Sequence, residues 1–178
     1  TLLCLMNIIQ AQNPFFEKYS TPHGTIPFDK IKTEHYEPAI REGISRHDAE
    51  IDAIISNTEA PTFANTVAAY EKSGQLLSQV STVFGNLLSA ETNDDMQELA
   101  KTMMPLLSEH SNNITLNEKL FARIKAVYDQ KAQANLTPEQ NKLLEEVYNS
   151  FVRSGANLEG EAKEQYRALS KELSLLTL

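Results

Sequence analysis

Apolar residues recur at spacings of three and four along most of this chain, and sustained two-residue alternation is absent. That period is the signature of helices that bury one face. The first stripe is Ile40, Ile44, His47, Ile51 and Ile55, which predicts a helix beginning after Thr33, regular from near Pro38, and ending at "SNTEAPT". A second helix is predicted from about Phe63 to Ala90. It carries two apolar faces, one through Phe63, Val67, Tyr70, Gly74, Leu77, Ser81, Phe84 and Leu88 and one through Leu76, Val80, Val83 and Leu87. A helix apolar on two sides belongs in the middle of a bundle.

The stripes Met96, Leu99, Met103, Leu106, His110, Ile114 and Leu120, Phe121, Ile124, Val127, Tyr128 predict a third and a fourth helix. Asn93 and Asn117 are their N-caps, and Pro105 should kink the third. Thr137, Pro138 and Gln140 read as a capping box with a first-turn proline, opening a fifth helix that buries Leu143, Leu144, Val147, Tyr148 and Phe151. Gly155 is its left-handed stop. Ala162, Tyr166, Leu169, Leu173 and Leu176 form the stripe of a sixth helix, whose apolar edge is expected to lie on the surface. The expected fold class is all-α, an antiparallel multi-helix bundle with short connections.

Two N-terminal stretches depart from this pattern. Residues 13–32 are broken by Pro14, Pro22, Gly24 and Pro27 and read as an extended strap, anchored by Phe15, Phe16, Ile26, Phe28 and Ile31. Residues 1–12, "TLLCLMNIIQAQ", hold an uncharged apolar run too short to span a bilayer. They read as the remnant of a secretory signal cut after Ala11, in preference to a buried strand or helix, which implies a periplasmic or secreted protein. The helical domain then occupies 33–178.

Composition narrows the function classes. The 178 residues are 41% hydrophobic and 22% charged, an ordinary balance for one soluble domain. A net charge of -8 argues against nucleic acid as a partner, because phosphates demand basic patches. The one cysteine, Cys4, allows no intrachain disulfide and is a poor nucleophile within an apolar run.

The chemistry-bearing residues form no recognisable active site. A helical zinc motif needs two histidines four apart with a glutamate between them, and His23, His35, His47 and His110 include no such pair. In the inverted motif, Glu34-His35 and Glu109-His110 would need a histidine where Ile31 and Leu106 stand. His47 and His110 lie on apolar stripes and read as hydrogen-bonded core histidines. Phosphate-binding glycine loops and a nucleophile elbow are both missing. Asp94-Asp95 and Glu145-Glu146 read as solvated surface, since neighbours on a helix face different ways. Arg153 reads as a helix C-terminal cation. Met96, Met103 and Met104 read as core filling. The residues therefore nominate no catalytic and no metal-binding position.

Three stretches nevertheless resemble one family. "IKTEHYEPAIREGISRHDAEIDAI", "PTFANTVAAYEKSGQLLSQVSTVFGNLLSAETND" and "FVRSGANL…AKEQYRALSKELSLLTL" follow the order and spacing of the N-terminal region of the thimet oligopeptidase, oligopeptidase A and peptidyl-dipeptidase zinc metallopeptidases. The resemblance spans about Asn13 to Leu178 and is closer to the peptidyl-dipeptidase branch, whose members remove dipeptides from peptide C-termini. It implies a helical shell around a deep channel admitting short peptides. It also implies a zinc held by an HExxH helix and a downstream glutamate, in a C-terminal catalytic domain absent from these residues. The zinc would activate water, with the motif glutamate as general base. On that reading this piece binds no zinc, is inactive alone, and forms part of the channel wall. The alternatives are an endo-acting oligopeptidase of the same family and a stand-alone helical interaction module.

Overall fold

The computed structural model describes residues 13–176; the expected signal remnant lies outside them. Six helices of twelve residues or more follow one another: α1 Tyr36–Ser56, α2 Gln75–Ala90, α3 Asp94–Thr115, α4 Glu118–Asp129, α5 Pro138–Arg153 and α6 Gly160–Leu176. The described residues contain no strand, so the protein is all-α.

The predicted caps form. The Asn93, Asn117 and Thr137 side chains accept hydrogen bonds from the amides of Met96, Leu120 and Gln140 respectively. Each satisfies one of the donors a helix start leaves open. Gln140 returns the bond to the Thr137 amide, closing the box at 3.0 Å. α5 ends with bonds from the Gly155 and Ala156 amides to the Val152 and Phe151 carbonyls, with Gly155 at φ +84°. That is the paired-bond stop that left-handed glycine permits. α3 runs through Pro105 without terminating.

Two sequence expectations need correction. The stretch from Phe63 to Ala90 is not one helix. It consists of a π-type turn Phe63–Val67, a single α-turn Ala68–Glu71, a break, and then α2. The break falls at Gly74, which adopts φ 69°, a left-handed conformation. Glycine enters that region without steric cost, so a position that fits an apolar spacing instead ends one element and starts the next. The other correction concerns Phe28, expected as an anchor of the strap, which is 56% exposed. Residues 13–32 contain three single 3-10 turns, Pro14–Phe16, Pro22–Gly24 and Phe28–Lys30, and their fully buried aromatic is Phe15.

The chain divides into two compact units. The first comprises the residues through Arg46 together with Gly74–Met103. At its centre the Phe15, Tyr36 and Phe84 rings pack in series, with centroids 5.4 and 5.2 Å apart. Ile40, Val80 and Met103 are buried with them. Asn13 is buried too; its amide donates to the His35 carbonyl at 2.8 Å and its oxygen accepts from the Phe15 amide. α1 and α2 approach closely, because a Cβ on Gly43 would lie 2.9 Å from the Leu77 Cα.

The second unit comprises His47–Ser73 and the residues from Met104 onward. Its core gathers Ile51, Ile54, Val67, Ile114, Leu120, Ile124, Leu144, Val147 and Phe151. Burying each such side chain contributes roughly 1.5–3 kcal/mol. A run of aromatic contacts crosses it, Tyr70 to Phe151, Phe151 to Phe121, Phe121 to Tyr148 and Tyr148 to Tyr128. Arg123 of α4 ties down the loop after α1 by donating to the Asn57 and Glu59 carbonyls at 2.8 and 3.3 Å.

Candidate functional site

A network of polar side chains in the second unit lies where α1, α3 and the turn at 70–73 meet. Helical spacing turns His47 and His110 inward on their stripes, and His110 is 6% exposed. Their rings meet edge to face, with His110 Nε2 3.0 Å from His47 Nδ1. His47 Nε2 lies 3.1 Å from the Ser73 hydroxyl, which donates to the Tyr70 carbonyl at 2.6 Å. At the other end, His110 Nδ1 is 3.4 Å from the Asp48 carboxylate.

Proton counting constrains this chain of contacts. It has four links: Asp48 to His110, His110 to His47, His47 to Ser73, and Ser73 to Tyr70. A hydrogen bond in every link would take four protons. With Asp48 ionised and both imidazoles neutral, the groups carry three. With Ser73 donating to Tyr70, His47 must donate from Nε2 and accept at Nδ1. His110 then donates from Nε2 and faces Asp48 with a bare Nδ1. Burial holds both imidazoles below the ordinary histidine range of 6.5. The positive charge of His110 lowers His47 further, while Glu50 and Asp48 pull it back; Asp48 alone raises His110.

The arrangement does not suit a metal. The two imidazole nitrogens point at each other rather than at a shared point, and Asp48 sits at the far nitrogen of His110. Among the described residues no group of three or more His, Cys, Asp and Glu side chains could hold an ion. Ser73 spends its proton on a carbonyl at a helix end, which places it in a turn rather than in a nucleophilic role.

The other residues weighed from the sequence lie apart from this network. His35 accepts the Lys32 amide at Nδ1, in the first unit. Glu145 pairs with Lys131 at 2.8 Å in a half-buried contact, and Glu146 with Lys142 at 3.2 Å in an exposed one. Asp94 and Asp95 occupy the first turn of α3, and Arg153 the last turn of α5. Met96 and Met103 are buried in the first unit.

A second feature of this unit is α6. It faces its neighbours with polar groups. Lys163 pairs with Glu118 at 2.8 Å, Arg167 donates to the Asn113 side chain at 2.8 Å, and the Ser170 carbonyl accepts from Ser108 at 3.2 Å. Its leucines are turned elsewhere, with Leu169, Leu173 and Leu176 exposed by 65%, 59% and 75%.

Sequence comparison gives this geometry its context. The chain is 39% identical over 166 residues to dipeptidyl carboxypeptidase of Salmonella typhimurium, which covers 93% of this chain and 24% of the relative. The Escherichia coli dipeptidyl carboxypeptidase matches equally, at 39% over 167 residues and 24% of its length. Oligopeptidase A of Salmonella typhimurium is 24% identical over 92% of this chain, again 24% of the relative. The chain is a homologue of dipeptidyl carboxypeptidase and oligopeptidase A, of the thimet oligopeptidase family. It spans about a quarter of the length of the curated relatives it matches. No family model matches it. Beside these peptidase relatives, the described residues place no metal site in either unit, and no described helix is long and apolar enough to cross a membrane.

Sequence reasoning identified His47 and His110 as core histidines but not as each other's partners. They stand 63 positions apart on different helices. The available signal was that each stands on an otherwise apolar stripe, and two inward-turned imidazoles satisfy each other most simply.

Proposed function

We propose that this chain is the N-terminal, non-catalytic portion of a zinc-dependent peptidyl-dipeptidase. Residues 33–178 form a helical domain within the wall around a substrate channel, 13–32 strap onto it, and 1–12 are the remnant of a secretory signal. The substrates are short peptides, from whose C-termini the complete enzyme removes dipeptides in the periplasm or outside the cell. The zinc ligands and the general base belong to a catalytic domain beyond this chain. The observation that carries this reading is the 39% identity to dipeptidyl carboxypeptidase across 93% of these residues. The low share of the relative's length that they cover supports a partial role.

The 24% identity to oligopeptidase A favours a second reading, an endo-acting enzyme. Peptides with free and amidated C-termini separate the two. On the first reading the complete protein releases C-terminal dipeptides from the free acids and spares the amides. Internal cleavage of the amidated peptides at a matching rate establishes the second reading instead. A stop codon directly after Leu178, with no HExxH downstream, would remove both and leave a helical interaction module.

A further inference from the structure

We propose that a cleft in the first unit binds a zwitterionic dipeptide carrying an apolar side chain. The choice of a dipeptide rests on the reading proposed above, in which dipeptides are the product; the chemistry of the cleft does not.

The cleft lies where the end of the strap meets the junction of α2 and α3, and it holds about 520 Å³. That is within the roughly 300–1,000 Å³ of small-molecule sites. Phe28, Ile31, Leu87 and Met96 give it an apolar lining. The exposure of Phe28, which the packing of the strap does not require, has a use here. Its ring is free to cover an apolar side chain seated in the cleft.

Two charged residues belong to the same wall. Lys32 is exposed and meets Glu34 only at 3.9 Å. Glu91 is the C-cap of α2, where a carboxylate sits against the negative end of the helix dipole. That placement favours a cation beside it. An ammonium group at Glu91 and a carboxylate at Lys32 suit a ligand charged at both ends.

Tyr36 supplies an independent observation. It lines the same cleft and is 2% exposed, and its hydroxyl has no hydrogen-bond partner among the described residues. Burial raises its pKa, so the phenol stays protonated and is a donor. A buried donor without an acceptor destabilises the fold that holds it, and phenylalanine would avoid the cost. A ligand carbonyl is the acceptor this hydroxyl lacks. Met96, unbranched and adaptable, is the wall residue able to give way to it. A dipeptide carries one amide carbonyl between its two charges, whereas a single amino acid carries none.

The test is calorimetric titration of the complete, metal-loaded protein with alanyl-phenylalanine. Phenylalanine and the acetylated, amidated dipeptide serve as comparisons. The dipeptide binds saturably, and the comparisons bind about tenfold more weakly or worse. Lys32→Gln weakens dipeptide binding by about tenfold. Tyr36→Phe weakens it by roughly fivefold, while the melting temperature of the unliganded protein stays level or rises. A dipeptide with a benzophenone side chain, photolysed on the protein, attaches to Met96 or Phe28 by mass spectrometry. Attachment confined to residues outside the cleft, or affinity indifferent to both substitutions, overturns the inference. Equal binding of free phenylalanine also overturns it. So does a marked fall in melting temperature with Tyr36→Phe, which reveals a partner for the hydroxyl. An active peptidase whose cleft takes no dipeptide sinks the inference and leaves the functional reading standing. Variant-sensitive dipeptide binding by a complete protein without peptidase activity upholds the cleft and marks failure of the functional reading instead.

Discussion

The contact between His47 and His110 shows how a few atoms set a pH response. Both imidazoles are held below their ordinary value, chiefly by burial, so the folded chain prefers them neutral. A group depressed in this way contributes stability that is complete above the unfolded value of 6.5 and is lost as pH falls through the folded value. The expected outcome is a melting temperature that declines as pH falls below about 6.5, before the carboxylates titrate. His110→Gln should flatten that decline, and the loss relative to the parent should be larger above that pH. Scanning calorimetry on either side of it reads both. An unchanged slope in the variant would show that the network does not govern the response. The same two residues mark the limit of reading by sequence. Their inward placement was legible from the stripes; their pairing depends on the crossing of α1 and α3 in the second unit, which no local spacing encodes.

At the level of elements, caps and stops are the most legible part of the chain, because they are local. Asn93, Asn117, Thr137 and Gly155 each act within a few residues of their own position, and each does what its side chain or its missing Cβ dictates. Gly74 shows why the second helix was read too long. Its spacing suited the stripe, and only a left-handed φ reveals that it separates two elements. Gly43 was equally invisible, since a glycine at a close crossing gives no periodic signal. Its missing Cβ lets the Leu77 backbone approach within the first unit. Gly43→Ala should therefore destabilise the protein by roughly 1–3 kcal/mol despite the better helix propensity of alanine. Gly85→Ala, at a helical position where an added Cβ meets nothing within 4 Å, is the control and should be neutral or stabilising. Urea unfolding of both variants measures the difference, and equal midpoints would rule out the proposed clash. The orientation of α6 was partly legible. Its apolar stripe and its surface position were foreseen, whereas the inward polar face depends on Asn113 and Glu118, which belong to other helices.

Across the whole molecule, the sequence conveyed the all-α class through its period, and the relationship to peptidases through the order of three segments. Chemistry was not legible in it, and the structure adds a half-buried imidazole pair and an exposed leucine stripe. The pair joins α1 to α3 within one unit. The most direct measurement is hydrolysis of a short peptide with a free C-terminus, followed by mass spectrometry. The purified 178-residue chain and the complete protein are assayed side by side, each with and without a chelator. The account predicts chelator-sensitive release of C-terminal dipeptides by the complete protein and none by the chain alone. Turnover by the chain alone, persisting through repeated purification, would contradict it.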